Sequence, residues 1–251
     1  MSLIQTPAIL LRTFPYSETS QILRFFSERL GVVAVMARGV RRAASRKGGN
    51  LVTFSEGALT IYHRESRELQ TFREFSSTRV RSSLATDPVR LAGASVLGEL
   101  VLAHAGEEEN PELFNLLSSG LDAVDREGKE DLLPRILAEL WGLVGELGYE
   151  PLLEACLRCG RALAGAEMSR FDLAGGGVHC LGCGAETRGP RLGPRAREQL
   201  STLLHRELPQ ELIRPRAHLR LASDFITYHI SGGTPLRSVE VLASLLAGTH
   251  A

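Results

Sequence analysis

The chain has four cysteines, and all fall in one short span, as Cys156-Leu-Arg-Cys159 and Cys180-Leu-Gly-Cys183 with twenty residues between the pairs. Two thiolates separated by two residues can turn both sulfurs onto one cation. Two such turns complete a tetrahedral site of the kind Zn2+ takes at about 2.3 Å per sulfur. Gly160 and Gly184 follow the second cysteine of each pair and suit tight turns, and Gly175, Gly176 and Gly177 let the loop return. The alternatives are two disulfides or four independent thiols. A reducing compartment disfavours the first and the paired spacing disfavours the second. A full set of four thiolates leaves no open coordination position, so Cys156, Cys159, Cys180 and Cys183 predict one structural Zn2+ and no metal catalysis. His179 adjoins Cys180, and neighbours rarely both reach one metal, so it is set aside as a ligand. The His-x-Glu and Pro-Cys signatures of zinc deaminases are absent.

The rest of the chain must build a body around that insert. At 251 residues and 43% hydrophobic it has length for one to two domains with a buried core. No apolar run reaches the roughly 18 residues of a membrane span. The opening MSLIQTPAILLRTFPYSE lacks a basic n-region and a small-residue cleavage site, which predicts a cytoplasmic protein with no membrane association. Net charge is zero but segregated. Residues 1 to 81 carry 13 basic and 6 acidic side chains, 82 to 154 carry 4 and 15, and 155 to 251 carry 12 and 8. That pattern suggests modules, with polyanion contact at the first.

Residues 6 to 13, 20 to 27, 32 to 38, 57 to 63 and 69 to 75 are short, β-branched or aromatic, and separated by Gly, Pro, Ser or charge clusters. Leu59, Ile61 and His63 alternate with Thr60 and Tyr62, and Ile22, Arg24 and Phe26 with Leu23 and Phe25, the period of a half-buried sheet. Five strands in some 75 residues suit an oligonucleotide-binding (OB) barrel, and an SH3-like barrel fits the pattern almost as well. After Asp87 the texture becomes helical. Asp87-Pro88, Asn110-Pro111, Gly193-Pro194 and Thr234-Pro235 each set a cap before a proline at the first helical position. Helices are expected at 88 to 105, 111 to 126, 132 to 147, 194 to 207, 216 to 231 and 235 to 247, with Trp141 in the core. The fold class is therefore α+β, with expected divisions at 1–81 (barrel), 82–154 and 188–251 (helical), and 155–187 (metal module).

Between the third and fourth strands lies a run with five basic residues and no acidic one: Arg38, Arg41, Arg42, Arg46 and Lys47 among glycines. Guanidinium forks pair with phosphate oxygens, and neutralising phosphates releases counterions, so this is the expected nucleic-acid contact. Eight of fourteen aromatics lie in the first module, where exposed ones could stack bases. Phosphate-loop, dinucleotide, nucleophile-elbow and His-Glu-x2-His signatures are missing, so no enzyme is expected; scattered nuclease carboxylates are less firmly excluded.

The stretches Ala8-Ile9-Leu10-Leu11-Arg12, Tyr16-Ser17-Glu18-Thr19-Ser20, Phe26-Ser27-Glu28 with Gly31, Ala37-Arg38-Gly39-Val40-Arg41-Arg42 and Ser45-Arg46 resemble the N-terminal pattern of the bacterial RecO family of DNA repair proteins. The resemblance extends over essentially the full chain, to a helical domain interrupted by a four-cysteine module of the kind some members retain. It implies an OB-fold mediator without enzymatic turnover. Such a protein binds single- and double-stranded DNA, anneals strands without ATP, acts on single-strand-binding protein and, with RecR, helps load RecA. A cytoplasmic, nucleoid-associated location follows. Carried over by position, Arg38, Arg41, Arg42, Arg46 and Lys47 match the family's basic loop, with Arg38 where the family usually has Lys; Arg12, Tyr16 and Arg24 are further DNA candidates. The charge map adds a possible second DNA patch at Arg188, Arg191, Arg195 and Arg197, which would help two strands approach. Arg214, Arg216 and Arg220 could form a cationic rim for the acidic, hydrophobic-ended tail of single-strand-binding protein. The alternative is a zinc-ribbon DNA-binding regulator that reads DNA through the metal module.

Overall fold

The structure, a computed structural model, describes residues 2–40 and 51–248. The chain divides into two compact units, Met1–Arg126 and Glu127–Ala251.

The first unit opens with strands β1 (Ser2–Pro15), β2 (Gln21–Ser27), β3 (Gly31–Ala37), β4 (Glu56–His63) and β5 (Leu69–Arg79). They close in the order β1-β2-β3-β5-β4, antiparallel throughout except where β3 meets β5 in parallel at Ala34–Met36. That closure selects the OB barrel over the SH3-like alternative. Alternation sends Leu23, Phe25, Val33, Val35, Leu59 and Ile61 inward, where they pack with Ala8, Leu10, Phe72 and Phe75. Ala8, Ile9, Leu10 and Leu11 are all buried, because the outer face of β1 is covered as well and its register shifts between Leu10 and Arg12.

Helices α1 (Ser82–Thr86), α2 (Pro88–His104) and α3 (Pro111–Arg126) belong to the same unit as the barrel. Asp87 caps α2 by accepting from the backbone N–H of Val89 and Arg90, and Asn110 accepts from Leu113 at the start of α3. The seam is held by Phe26 against Phe114, with ring centroids 6.1 Å apart, and by the buried Arg81. The Arg81 guanidinium donates to the carbonyls of Phe54 (2.8 Å) and Ser118 (3.0 Å) and pairs with Glu56 (2.9 Å) and Asp122 (2.7 Å).

The second unit contains α4 (Leu132–Glu146), then β6 (Leu152–Cys156), β7 (Ser169–Asp172), β8 (Gly177–Cys180) and β9 (Arg191–Leu192) in the order β6-β8-β7-β9. It ends with α5 (Pro194–Leu204), α6 (Pro215–His229) and α7 (Arg237–Gly248). Trp141 is fully buried, 5.3 Å from the Phe225 ring, and Phe225 in turn meets Phe171 of the small sheet at 6.1 Å. Helix α4 is tied to the turn that follows α5 by Glu139, whose carboxylate receives Arg206 Nε at 2.8 Å and Nη2 at 2.6 Å.

All six helices expected from the sequence are present, with shifted ends. The last begins at Arg237, not 235, and α6 begins at Pro215 behind Arg214, a residue in the left-handed region (φ 53°) that provides no side-chain cap. Helix α1 and the four-stranded sheet of the metal module are additions to the sequence reading.

Candidate metal centre and nucleic-acid interface

The parallel pairing of β6 with β8 brings the two cysteine turns together. Cys156 ends β6, Cys180 ends β8, and the Leu157 N–H donates to the Val178 carbonyl at 2.9 Å. Each turn closes on its first cysteine, with Gly160 N–H donating to Cys156 O and Gly184 N–H to Cys180 O, both at 2.8 Å. Gly160 sits at φ +69°, a conformation that favours glycine. The four sulfurs all lie within 4.8 Å of one another; Cys156 and Cys180 are buried, Cys183 is half-buried and Cys159 is exposed.

Burial pushes the Cys156 thiol up, but the backbone N–H groups of Cys159 and Cys180 and the His179 ring together outweigh it and bring the group down to about 5. The side chains of Cys180 and Cys159, with burial, push Cys183 up to about 12. Four sulfurs this close cannot all carry charge unaided, and a cation among them removes that conflict. The all-sulfur donor set and its closure thus fit a bound metal ion. His179 stays outside the ligand set, with its Nδ1 3.7 Å from Cys156 Sγ and its Nε2 3.0 Å from Asp172 Oδ2.

On the barrel, Arg12 of β1 and Arg24 of β2 are direct cross-strand partners. Their neighbours Leu23 and Phe25 point into the core, so the pleat turns Arg24 outward; Arg12 is exposed and lies 5.0 Å over the ring of Phe14. Two like charges directly opposed on a sheet are unfavourable, and a polyanion would relieve them. Arg24 Nε is buried with no hydrogen-bond partner among the described residues. Tyr16, in the β1–β2 turn, is 64% exposed, and Phe14 is 36% exposed. Arg38, just past β3, is exposed too. Phe14 is one of the eight aromatics of the first module, and the structure sorts it to the surface, which composition alone cannot do. Arg41, Arg42, Arg46 and Lys47 lie outside the described residues.

Among the second-patch candidates, Arg188 and Arg191 are exposed, and Arg195 pairs with Glu211 at 3.0 Å. Arg197 requires a correction. It is buried, and its guanidinium donates to the carbonyls of Glu167 (2.9 Å) and Ala164, tying the metal module to α5. Arg188, Arg191 and Arg195 remain as candidates for that patch. Arg214, Arg216 and Arg220 are exposed. Arg216 and Arg220 edge a groove of about 290 Å³ between α6 and α7, floored by Leu219, Val239 and Ala243, with Asp224 at one side. Among the described residues no helix is long and apolar enough to cross a membrane.

Barrel, helices and four-thiol module together define an OB-barrel protein with a metal-binding insert in its helical part. A family profile described as "Recombination protein O N terminal" matches residues 1–81, and one described as "Recombination protein O C terminal" matches residues 85–238. The chain belongs to the RecO family, and its work is DNA repair and recombination. It is 30% identical to the DNA repair protein RecO of Synechococcus elongatus, over 98% of this chain and 96% of that one. It is 32% identical to the RecO of Anaeromyxobacter sp. (strain K), over 81% and 79%. For that of Rubrobacter xylanophilus the identity is also 32%, over 73% and 72%.

Proposed function

We propose that this chain is a recombination mediator acting in the cytoplasm at the nucleoid. It binds single- and double-stranded DNA, anneals complementary strands without ATP or other turnover, and with RecR helps load RecA onto DNA coated with single-strand-binding protein. The barrel (1–81) takes the DNA, the helical parts (82–154 and 188–251) take partners, and the module (155–187) carries a structural Zn2+. The observation that supports this most is the Arg12–Arg24 cross-strand pair on the outer face of the barrel, with Phe14 under Arg12 and Tyr16 exposed in the turn that follows β1. Guanidinium groups receive backbone phosphates while the aromatic rings stack bases, and neither contact depends on sequence. Arg38, exposed just past β3, adds a further cation for the backbone, and Arg41, Arg42, Arg46 and Lys47 follow it in the sequence as DNA-contact candidates.

Annealing requires two phosphate backbones to approach. Arg188, Arg191 and Arg195 hold the second strand in this reading and lower the repulsion while the bases stay free to pair. Arg191→Glu combined with Arg195→Glu is expected to slow annealing, followed by fluorescence, more than it weakens single-strand affinity; equal losses would remove the second patch. The groove between α6 and α7 suits the tail of single-strand-binding protein, with Arg216 and Arg220 toward its acidic residues and Leu219 and Val239 toward its hydrophobic end.

The decisive test is Arg24→Glu. Single-strand affinity, measured by fluorescence anisotropy, should fall on the order of tenfold, and the dependence of log K on log salt should flatten by about 0.7, the share of one phosphate on a single strand. The substitution also turns a like-charge cross-strand pair into an opposite-charge pair, a change of about 0.2–1 kcal/mol in favour of the fold. Thermal stability should therefore hold or rise while DNA binding falls. Unchanged affinity and an unchanged salt slope would take this face out of the DNA site.

A further inference from the structure

We propose that the Asp172–His179 pair is the outer sphere of the metal centre: His179 donates to the Cys156 sulfur and makes it the anchoring ligand, so that metal exchange opens at Cys159. The inference rests on the reading of the four cysteines as a metal centre, and it concerns how firmly the metal is held.

His179 is 8% exposed and precedes Cys180 on β8. Its ring stands between two acceptors, Cys156 Sγ at 3.7 Å from Nδ1 and Asp172 Oδ2 at 3.0 Å from Nε2. The first distance is long for oxygen but suits the larger sulfur atom. A thiolate sulfur accepts, so Nδ1 is the donor toward Cys156, and the Asp172 contact at Nε2 fixes the ring's orientation. The carboxylate is itself fixed, since its Oδ1 receives the backbone N–H of Ala174 at 3.0 Å and of Gly175 at 3.2 Å. A chain of hydrogen bonds thus runs from the end of β7, through β8, to the sulfur at the end of β6, and sets the ring's orientation. A donor on a ligand sulfur draws off charge and opposes loss of the metal–sulfur bond. Outer-sphere partners of this kind typically change metal affinity 10- to 100-fold.

The second cysteine turn has a weaker counterpart. Arg161 is gripped by both oxygens of Glu167, at 2.9 and 2.6 Å, and its positive charge acts on Cys180. Its side chain is 53% exposed, so water competes for the same bonds. Cys156 therefore has a ring donor beside it, and Cys180 a neighbouring guanidinium charge. Cys159 has neither among the described residues, and it alone of the four is exposed. Sulfur loss from the metal should begin there.

The test uses the zinc-loaded full chain. Zinc release to a chromophoric chelator is followed for the wild type, His179→Ala, His179→Asn and Asp172→Asn, and the first cysteine alkylated by N-ethylmaleimide is mapped by mass spectrometry. His179→Ala should release zinc 10- to 100-fold faster. His179→Asn, whose amide can put an N–H where Nδ1 stood, should recover most of the loss, and Asp172→Asn should fall between. Cys159 should be alkylated first in the wild type. In the cadmium-113-loaded wild type, a scalar coupling should connect the metal to the His179 ring N–H, a signal that packing alone does not produce. Wild-type release rates in His179→Ala, an Asn variant as fast as Ala, or no coupling would each overturn the proposal. If His179→Ala does not fold, the coupling and the order of alkylation decide. A chain that takes up no metal would instead defeat the metal reading itself.

Discussion

Stripping the metal with a chelator, or replacing Cys180 by Ser, is expected to loosen residues 152–192 while leaving the barrel and its DNA affinity intact. The small sheet has strands of two to five residues and few fully buried apolar side chains, Phe171 and Val178 chief among them. A body that small does not hold its fold without a staple. Structural zinc contributes roughly 10–16 kcal/mol to isolated fingers. The loss here should be smaller, because Phe171 packs on Phe225, Arg197 binds the carbonyls of Ala164 and Glu167, and His229 Nε2 donates to the carbonyl of Leu173. Limited proteolysis should show accelerated cleavage within 152–192, metal content should fall from one equivalent to none, and readdition of Zn2+ should reverse the chelator's effect. Single-strand affinity measured in parallel separates the two functional readings. If it survives, the barrel carries the DNA; if it disappears with the metal, the module is the reader and the chain behaves as a zinc-ribbon regulator.

How much of this was legible follows from where the physics is local. Asp87-Pro88 and Asn110-Pro111 announce their helices because a capping carboxylate or amide and a proline at the first position act within one turn, and both side chains do accept the expected N–H bonds. Arg214 announces nothing, since a left-handed arginine without a capping bond has no local signature. The β-strands of the barrel show alternation wherever one face is solvated. It vanishes over Ala8 to Leu11, where both faces are covered and a bulge follows. The strands of the metal module are too short to alternate, and all four residues of Gly177–Cys180 are buried. The cysteines were readable because metal spacing is a property of one turn. The opposition of Arg12 and Arg24 was not, because cross-strand register is set by the turn and the bulge. Nor was the burial of Arg197, which depends on carbonyls some thirty residues away.

Glu139→Ala should destabilise the second unit by about 3 kcal/mol, near the lower end of the cost of orphaning a buried ion pair. The Glu139 side chain is 3% exposed and binds Arg206 at 2.6 Å and Arg135 at 3.4 Å. Arg135 also pairs with Glu127 at 2.8 Å and donates to the Arg206 carbonyl at 3.3 Å, so one carboxylate fixes two arginines and the end of α5. Arg206 lies across Gly142, where a Cβ would stand 2.7 Å from its side-chain carbons, so the arginine has little room on that side. Loss of the carboxylate removes the ion pair of Arg206 and one of the two carboxylates on Arg135, which keeps Glu127, and both guanidinium groups retain partial access to water. That access, 22% and 31% of the two side chains, is what keeps the cost near 3 kcal/mol and not higher. A melting temperature lower by about 10 °C is the corresponding observable. Adding Arg206→Ala removes the other member of the pair, so the double variant should be more stable than the sum of the single losses by roughly 1–3 kcal/mol. Strict additivity in that cycle would show that Glu139 and Arg206 do not act as a pair, and that α4 and α5 are held by their apolar contacts alone.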